Sequence, residues 1–168
     1  MSTPNVDLHR HRRLAIMMPN WLGDAVMAEP SIRAIKSAAP SLELSLMGRF
    51  AAISMLEGHP AISSIIGVDD RGFFGPRRFG KALQADGADA VLLLRGSFRS
   101  GLAAAVSRIR PRIGSTRFGH QGMLTHPIQP PTSPTPCPQV DFYATLVEAA
   151  FGIKVEDRLP RLVTTPTE

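Results

Sequence analysis

One aspartate stands where a nucleotide-binding turn would carry glycine. The stretch LAIMMPNWLGDAVMAEPSIRAIKSAAP (14–40) runs from a short apolar segment through a turn to an amphipathic pattern, with Gly23-Asp24 at the junction. A carboxylate there has two uses. As a helix N-cap it accepts hydrogen bonds from the first free N–H groups. As a general base at the mouth of a cleft it takes the proton of an attacking alcohol. The two are compatible, and both oppose a phosphate docked on that helix start. Two further sets of residues could bind anions. In RGSFRSGLAAAV (95–106), Arg95 and Arg99 could clamp an anion or stand in solvent, and Ser97 reads as an N-cap rather than a nucleophile, since no GxSxG elbow is present. Between 108 and 126, Arg108, Arg110, Arg112, Arg117, His120 and His126 form either a plain basic surface or a landing site for a phosphorylated substrate. The spacing of His120 and His126 matches no metal-ligand pattern.

The elements that must position these residues follow from periodicity. Apolar runs predict strands at 14–18, 42–47, 62–68 and, most clearly, 88–94, a short continuous run typical of a buried parallel strand. A short strand and turn are expected at 110–116 and an extended segment at 123–128. Helical patterns cover 24–38, 50–56, 77–84, 98–107 and 140–151, with Pro30 expected to kink or restart the first and Gly152 to close the last. Residues 127–138 are proline-rich and irregular. Alternating strands and helices call for parallel strands joined by right-handed crossovers. The fold class expected is a Rossmann-like α/β three-layer sandwich with a mainly parallel sheet. Functional residues then belong at the carboxyl edge, at 19–24, 48–50, 69–75 and 95–99.

Composition narrows the partners. The chain has 168 residues, 43% hydrophobic, with 19 basic against 14 acidic residues and nearly all of the basic ones arginine. Such a surface suits anions. Nucleic acid is disfavoured, because aromatic residues make up only 6% and no RNA-binding strand or zinc-finger spacing occurs. The one cysteine, Cys137, fits a reducing compartment and excludes an intrachain disulfide. No run approaches a membrane span and no signal peptide is recognised. These features give a cytoplasmic expectation. Residues 1–13 read as a disordered basic arm able to touch an anionic surface, 14–153 as one domain and 154–168 as the start of a linker.

The motif PNWLGDAVMAEPSIRAIK (19–36) resembles the opening of family 9 glycosyltransferases, the ADP-heptose:lipopolysaccharide heptosyltransferases, and looks most like the heptosyltransferase II type. The likeness continues in DAVLLLRGSFRSGLAAAVSRIRPRIGSTRFGHQGMLTHPI (89–128) and in PQVDFYATLVEAAFGI (138–153). The resemblance implies the acceptor-side domain of a GT-B enzyme that inverts configuration, needs no metal or other cofactor in the chemical step, and holds its ADP-heptose donor in a second domain. It places the catalytic base on Asp24. Asn20, Trp21 and Gly23 would line the acceptor mouth, Ser97 and Arg99 would lie near the donor–acceptor junction, and Arg112 and Arg117 would face anionic acceptor groups.

The implied partner is the inner core of lipopolysaccharide, with peripheral contact at the inner membrane. The sequence stops about where the resembled family's interdomain linker begins, so the chain is expected to lack the donor domain and to be inactive alone. A second reading is a non-enzymatic module that binds anionic glycan or lipopolysaccharide core.

Overall fold

A computed structural model describes residues 5–119, 121–129 and 137–163. Six strands form one sheet: β1 (Arg13–Met17), β2 (Glu43–Gly48), β3 (Ser64–Gly67), β4 (Ala90–Leu93), β5 (Arg112–Ser115) and β6 (His126–Ile128). Their order is β3-β2-β1-β4-β5-β6, with every neighbouring pair parallel. The helices are α1 (Leu22–Ala38), α2 (Phe50–Ile53), α3 (Gly75–Asp86), α4 (Phe98–Val106) and α5 (Gln139–Phe151). The Rossmann-like sandwich expected from the alternating pattern is the architecture observed.

Strand alternation sorts the core into two layers, because successive side chains leave opposite faces of a sheet. Leu14, Ile16, Leu44, Leu46, Leu92 and Ile113 face one layer, where they meet Ile32 and Ile35 of α1 and Tyr143 and Val147 of α5. Ala15, Met17, Met47, Val91 and Leu93 face the other, against Phe79 and Leu83 of α3 and Ala103 and Ala104 of α4. Both faces of β1 and β4 are thus covered, which accounts for their unbroken apolar runs. Pro30 lies buried within α1 without ending it. The helix absorbs a proline by leaving the Val26 carbonyl without its usual donor.

Three boundaries differ from the sequence reading. α1 begins at Leu22, two residues before Asp24, and Trp21 is its N-cap. The helix expected at 50–56 divides into α2 and a tight turn at Ser54–Leu56. The amino-terminal arm is the larger correction. From residue 5 onward the chain is packed: Val6 and Leu8 are buried, and the Val6 N–H donates to Ala150 O at 2.9 Å. Charge dominated the reading of this segment, yet two apolar side chains two positions apart suffice to seat it beside α5. Gly152, which closes α5 with φ +69°, leaves room for Asn5, whose side-chain nitrogen lies 2.6 Å from where a Cβ would stand.

The far end of the chain is held by one buried carboxylate. Glu29 of α1 is fully buried; it accepts from Arg33 Nε at 2.9 Å and from the Arg161 backbone N–H at 2.8 Å. His59 completes the set. Its Nδ1 accepts from the Ala61 N–H, so Nε2 carries the proton that faces Glu29 Oε1 at 3.1 Å. Asp157 bridges Arg33 and Arg161 at 3.2 and 2.6 Å. Segment 155–161 is therefore tied across α1. Removing one partner of such a buried set leaves the others uncompensated. Glu29→Ala is expected to cost about 3 kcal/mol, read as a lowered denaturation midpoint with an unchanged slope. Wild-type stability would show that the set contributes nothing net.

Candidate functional site

The strand order reverses direction between β1 and β4, and the carboxyl ends of these strands open the crevice where doubly wound sheets bind ligands. Residues 18–24 follow β1 on one side of the crevice, and residues 94–99 follow β4 on the other.

Asp24 occupies the third position of α1, half-buried, and its carboxylate makes no hydrogen bond or ion pair among the described residues. Of the two uses open to it, capping is thereby corrected: the helix starts too early for Asp24 to cap, although an acid in the first turn still suits the dipole. Its charge reaches Tyr143 of α5. Burial pushes that phenol up to about 12, with Asp24 adding to the rise against a hydrogen bond from Gln139 Nε2 at 3.3 Å. Asn20 is half-buried beside this turn, with its Oδ1 enclosed and unpartnered among the described residues. Trp21 is 76% exposed, and Gly23 borders open space.

Across the crevice, α4 opens with a capping box. The Ser100 N–H donates to Ser97 Oγ, and the Ser97 N–H donates to Ser100 Oγ, both at 3.1 Å. Ser97 is the N-cap its residue type suggested. The anion clamp read into Arg95 and Arg99 is corrected, because residues 69–75, which follow β3, cross over to β4 and occupy both side chains. Arg95 Nη2 binds Asp70 Oδ2 at 2.5 Å, and Arg99 Nη2 donates to the carbonyls of Asp70 and Gly72 at 2.7 and 2.5 Å. Arg49, after β2, approaches Asp70 Oδ1 at 3.5 Å. Burial acts to raise the Asp70 carboxyl, but the Arg95 hydrogen bond and the charges of Arg95 and Arg49 hold it below the usual carboxylate range. Gly75 fits this crossing because a Cβ there would stand 1.8 Å from the Asp70 carbonyl oxygen.

The arginines between 108 and 126 do not form one site. Arg112 begins β5 and so lies at the amino edge, away from the crevice. It is nearly buried and donates to the carbonyls of Met123 at 2.7 Å and Ile109 at 3.1 Å, while burial and the nearby Arg110 hold its guanidinium below its ordinary value. An acceptor-facing role for Arg112 is therefore corrected. Arg110 and His126 line an open cleft of about 600 Å³ at that same edge, together with residues of the packed amino-terminal segment. Arg117 alone of the set follows a strand at the carboxyl edge, its guanidinium carbon 5.9 Å from the Phe142 ring centre. His120 lies outside the described residues. No group of three or more His, Cys, Asp or Glu side chains able to hold a metal occurs among the described residues.

Sequence reasoning passed over Asp70 and Tyr143. The signal for Asp70 was an acid ending a strand beside an arginine-rich edge; the signal for Tyr143 was the chain's single tyrosine, inside its last helix.

No protein-family model and no curated protein matches the chain. Solved structures do. A glycosyl transferase family 9 protein from Veillonella parvula superposes with a TM-score of 0.76 at 18% identity, covering 93% of this chain and 44% of that one. The ADP-heptose lipopolysaccharide heptosyltransferase II of E. coli gives 0.73 at 20% identity, covering 92% and 47%. E. coli heptosyltransferase WaaC with ADP-2-deoxy-2-fluoro heptose gives 0.68 at 18% identity, covering 83% and 48%. The shared feature at this identity is the fold, and the chain spans a little under half the length of each of these structures.

Because the chain has one tyrosine, its phenolate absorbance reports Tyr143 alone. The folded-state value is raised above the unfolded value of 10.0, so the neutral phenol stabilises the fold. That contribution is whole below about pH 10 and is lost as pH rises toward about 12. An alkaline titration is expected to show a midpoint near 12 in the folded protein. A midpoint at the ordinary phenol value with the fold intact would contradict the burial beside Asp24.

Proposed function

We propose that this chain is the acceptor-side domain of a glycosyltransferase of the heptosyltransferase kind. The observation that carries the reading is Asp24, an unpartnered, half-buried carboxylate on the first turn after β1, at the crevice between β1 and β4. The fold shared with one part of several heptosyltransferase structures, and the PNWLGD motif around the same aspartate, support it.

In this reading a sugar hydroxyl of the lipopolysaccharide inner core enters beside Asn20 and Trp21. Asn20 Oδ1, enclosed and without a donor, is suited to accept a hydrogen bond from a second hydroxyl. The exposed Trp21 indole offers an apolar face for a sugar ring. Asp24 takes the hydroxyl proton as that oxygen attacks the anomeric carbon of ADP-heptose. The new glycosidic C–O bond forms as the bond to the diphosphate breaks, ADP leaves with the electron pair, and configuration inverts. The donor's diphosphate belongs to the donor-side half of the enzyme, so transfer requires that half. Ser97 and Arg99 act by shaping the wall opposite Asp24, and Arg117 lies at the same edge, free to approach an anionic acceptor group.

In the two-domain enzyme, Asp24→Asn keeps the shape and removes the base. Transfer from ADP-heptose to a core acceptor is expected to fall roughly 10²–10⁴-fold, with acceptor affinity and melting behaviour retained. Turnover at the wild-type rate would remove Asp24 from the base role. Acceptor binding with no transfer in the unmutated two-domain protein would favour a glycan-binding module.

A further inference from the structure

Five of the chain's ten aromatic side chains are exposed: Trp21, Phe50, Phe73, Phe74 and Phe98. All five sit in the turns or first helical residues that follow β1 to β4, so the exposed aromatic surface gathers on the carboxyl edge. Phe73 and Phe74 stand furthest out, at 89% and 61% exposure, with their rings edge to face at 5.2 Å. They pack on each other and leave most of their surface in water.

The loop that presents them is firmly held. Arg99 binds the carbonyls of Asp70 and Gly72, and Arg78 donates to the carbonyls of Asp69 and Arg71 at 3.2 and 2.5 Å. The Gly75 N–H donates to Gly72 O at 3.2 Å, closing the turn around the phenylalanines. A clamped loop cannot fold its tip inward to hide it. Cations surround the tip. Arg71, Arg77, Arg78 and Lys81 are exposed, and of the two acids beside them Asp70 is buried against Arg95 and Asp69 is paired with Arg71 at 3.1 Å. Arg77 and Lys81, four residues apart on α3, carry no hydrogen bond or ion pair among the described residues.

We infer that residues 71–81 form a docking surface for an anionic lipid bilayer, with Phe73 and Phe74 entering the interface and Arg71, Arg77 and Lys81 meeting lipid phosphates. A projecting apolar tip flanked by long cationic side chains fits a surface whose apolar layer lies just beneath its charges. No helix among the described residues is long and apolar enough to cross a membrane, so the contact is a surface one. The amino-terminal segment, the part of the sequence first expected to touch such a surface, is packed from residue 5 onward and leaves the role to this loop. The inference rests on exposure and charge. It stands or falls independently of whether Asp24 is the base.

Flotation of the 168-residue chain with vesicles tests it. The chain is expected to float with phosphatidylglycerol–phosphatidylcholine vesicles and to bind phosphatidylcholine alone at least about tenfold less, with added salt reducing the anionic binding. Phe73→Ser with Phe74→Ser is expected to lower partitioning at least about tenfold with an unchanged melting curve, since neither side chain is buried. Arg77→Gln with Lys81→Gln is expected to weaken binding and flatten its salt dependence. Absence of binding to the anionic vesicles, or full binding by the double serine variant, would overturn the inference. So would a chain that dimerises in solution and becomes monomeric on the same serine substitutions, because the pair would then be an interface between copies.

Discussion

The buried pairing of Asp70 with Arg95 is the tie on which the carboxyl edge depends. In the order β3-β2-β1-β4, the chain leaving β3 must pass the ends of β2 and β1 before α3 can pack beside α4 and deliver β4. That crossing lies over the crevice where any ligand would bind. Asp70 fixes it: one carboxylate oxygen holds Arg95 at the end of β4, the other faces Arg49 at the end of β2, and its carbonyl receives Arg99. Both members of the Asp70–Arg95 pair are about nine-tenths buried. Removing either would strand a charge in the interior, at a cost of about 3–5 kcal/mol. One interaction thus fixes three strand ends relative to one another.

The same constraint explains why so many arginines yield so few free cations at the crevice. A guanidinium carries five donors in a fixed fork and stays charged, so it suits loops whose carbonyls lack partners. Arg99 serves residues 70 and 72, Arg78 serves 69 and 71, and Arg112 serves 109 and 123. Each joins segments that the sheet alone would leave apart. The high arginine content is therefore partly architectural, and net charge alone overstates the capacity of this edge to bind anions.

The division between what the sequence disclosed and what it withheld follows from range. Strands and helices rest on local periodicity, and β1, β4, α1 and α5 lie within about two residues of where that pattern puts them. The sheet order and its carboxyl edge follow from alternation, and so the place of Asp24 was legible too. The partners of charged side chains are set by tertiary crossings instead. Arg112 reads as a member of a basic run, but β5 points its first residue to the amino edge, fifteen sequence positions and one sheet length from any clue. Asp70 was invisible for the same reason, since its partners lie 21, 25 and 29 residues away. The packed segment after residue 5 shows a related failure: two apolar side chains among many charges are enough when a groove of matching shape already exists.

The helix starts along this edge bear on where a diphosphate could sit. Anions bind helix N-termini through free N–H groups and the positive end of the dipole. At α4 the donors of Ser97 and Ser100 are engaged by each other's hydroxyls. At α3, Pro76 has no N–H to give and the Gly75 N–H is committed to Gly72. At α1 the donors of the first turn are open, but the Asp24 carboxylate shares that turn and repels a second negative charge. None of these three starts is furnished for phosphate, although a doubly wound sheet usually places its nucleotide at such a point. The arrangement instead suits a neutral hydroxyl-bearing group, which can donate to Asp24 and to Asn20 Oδ1 without bringing charge. An edge so furnished works as the acceptor side of a transfer whose charged donor is held elsewhere, and it gives a physical reason for the aspartate that takes the place of glycine in the first turn.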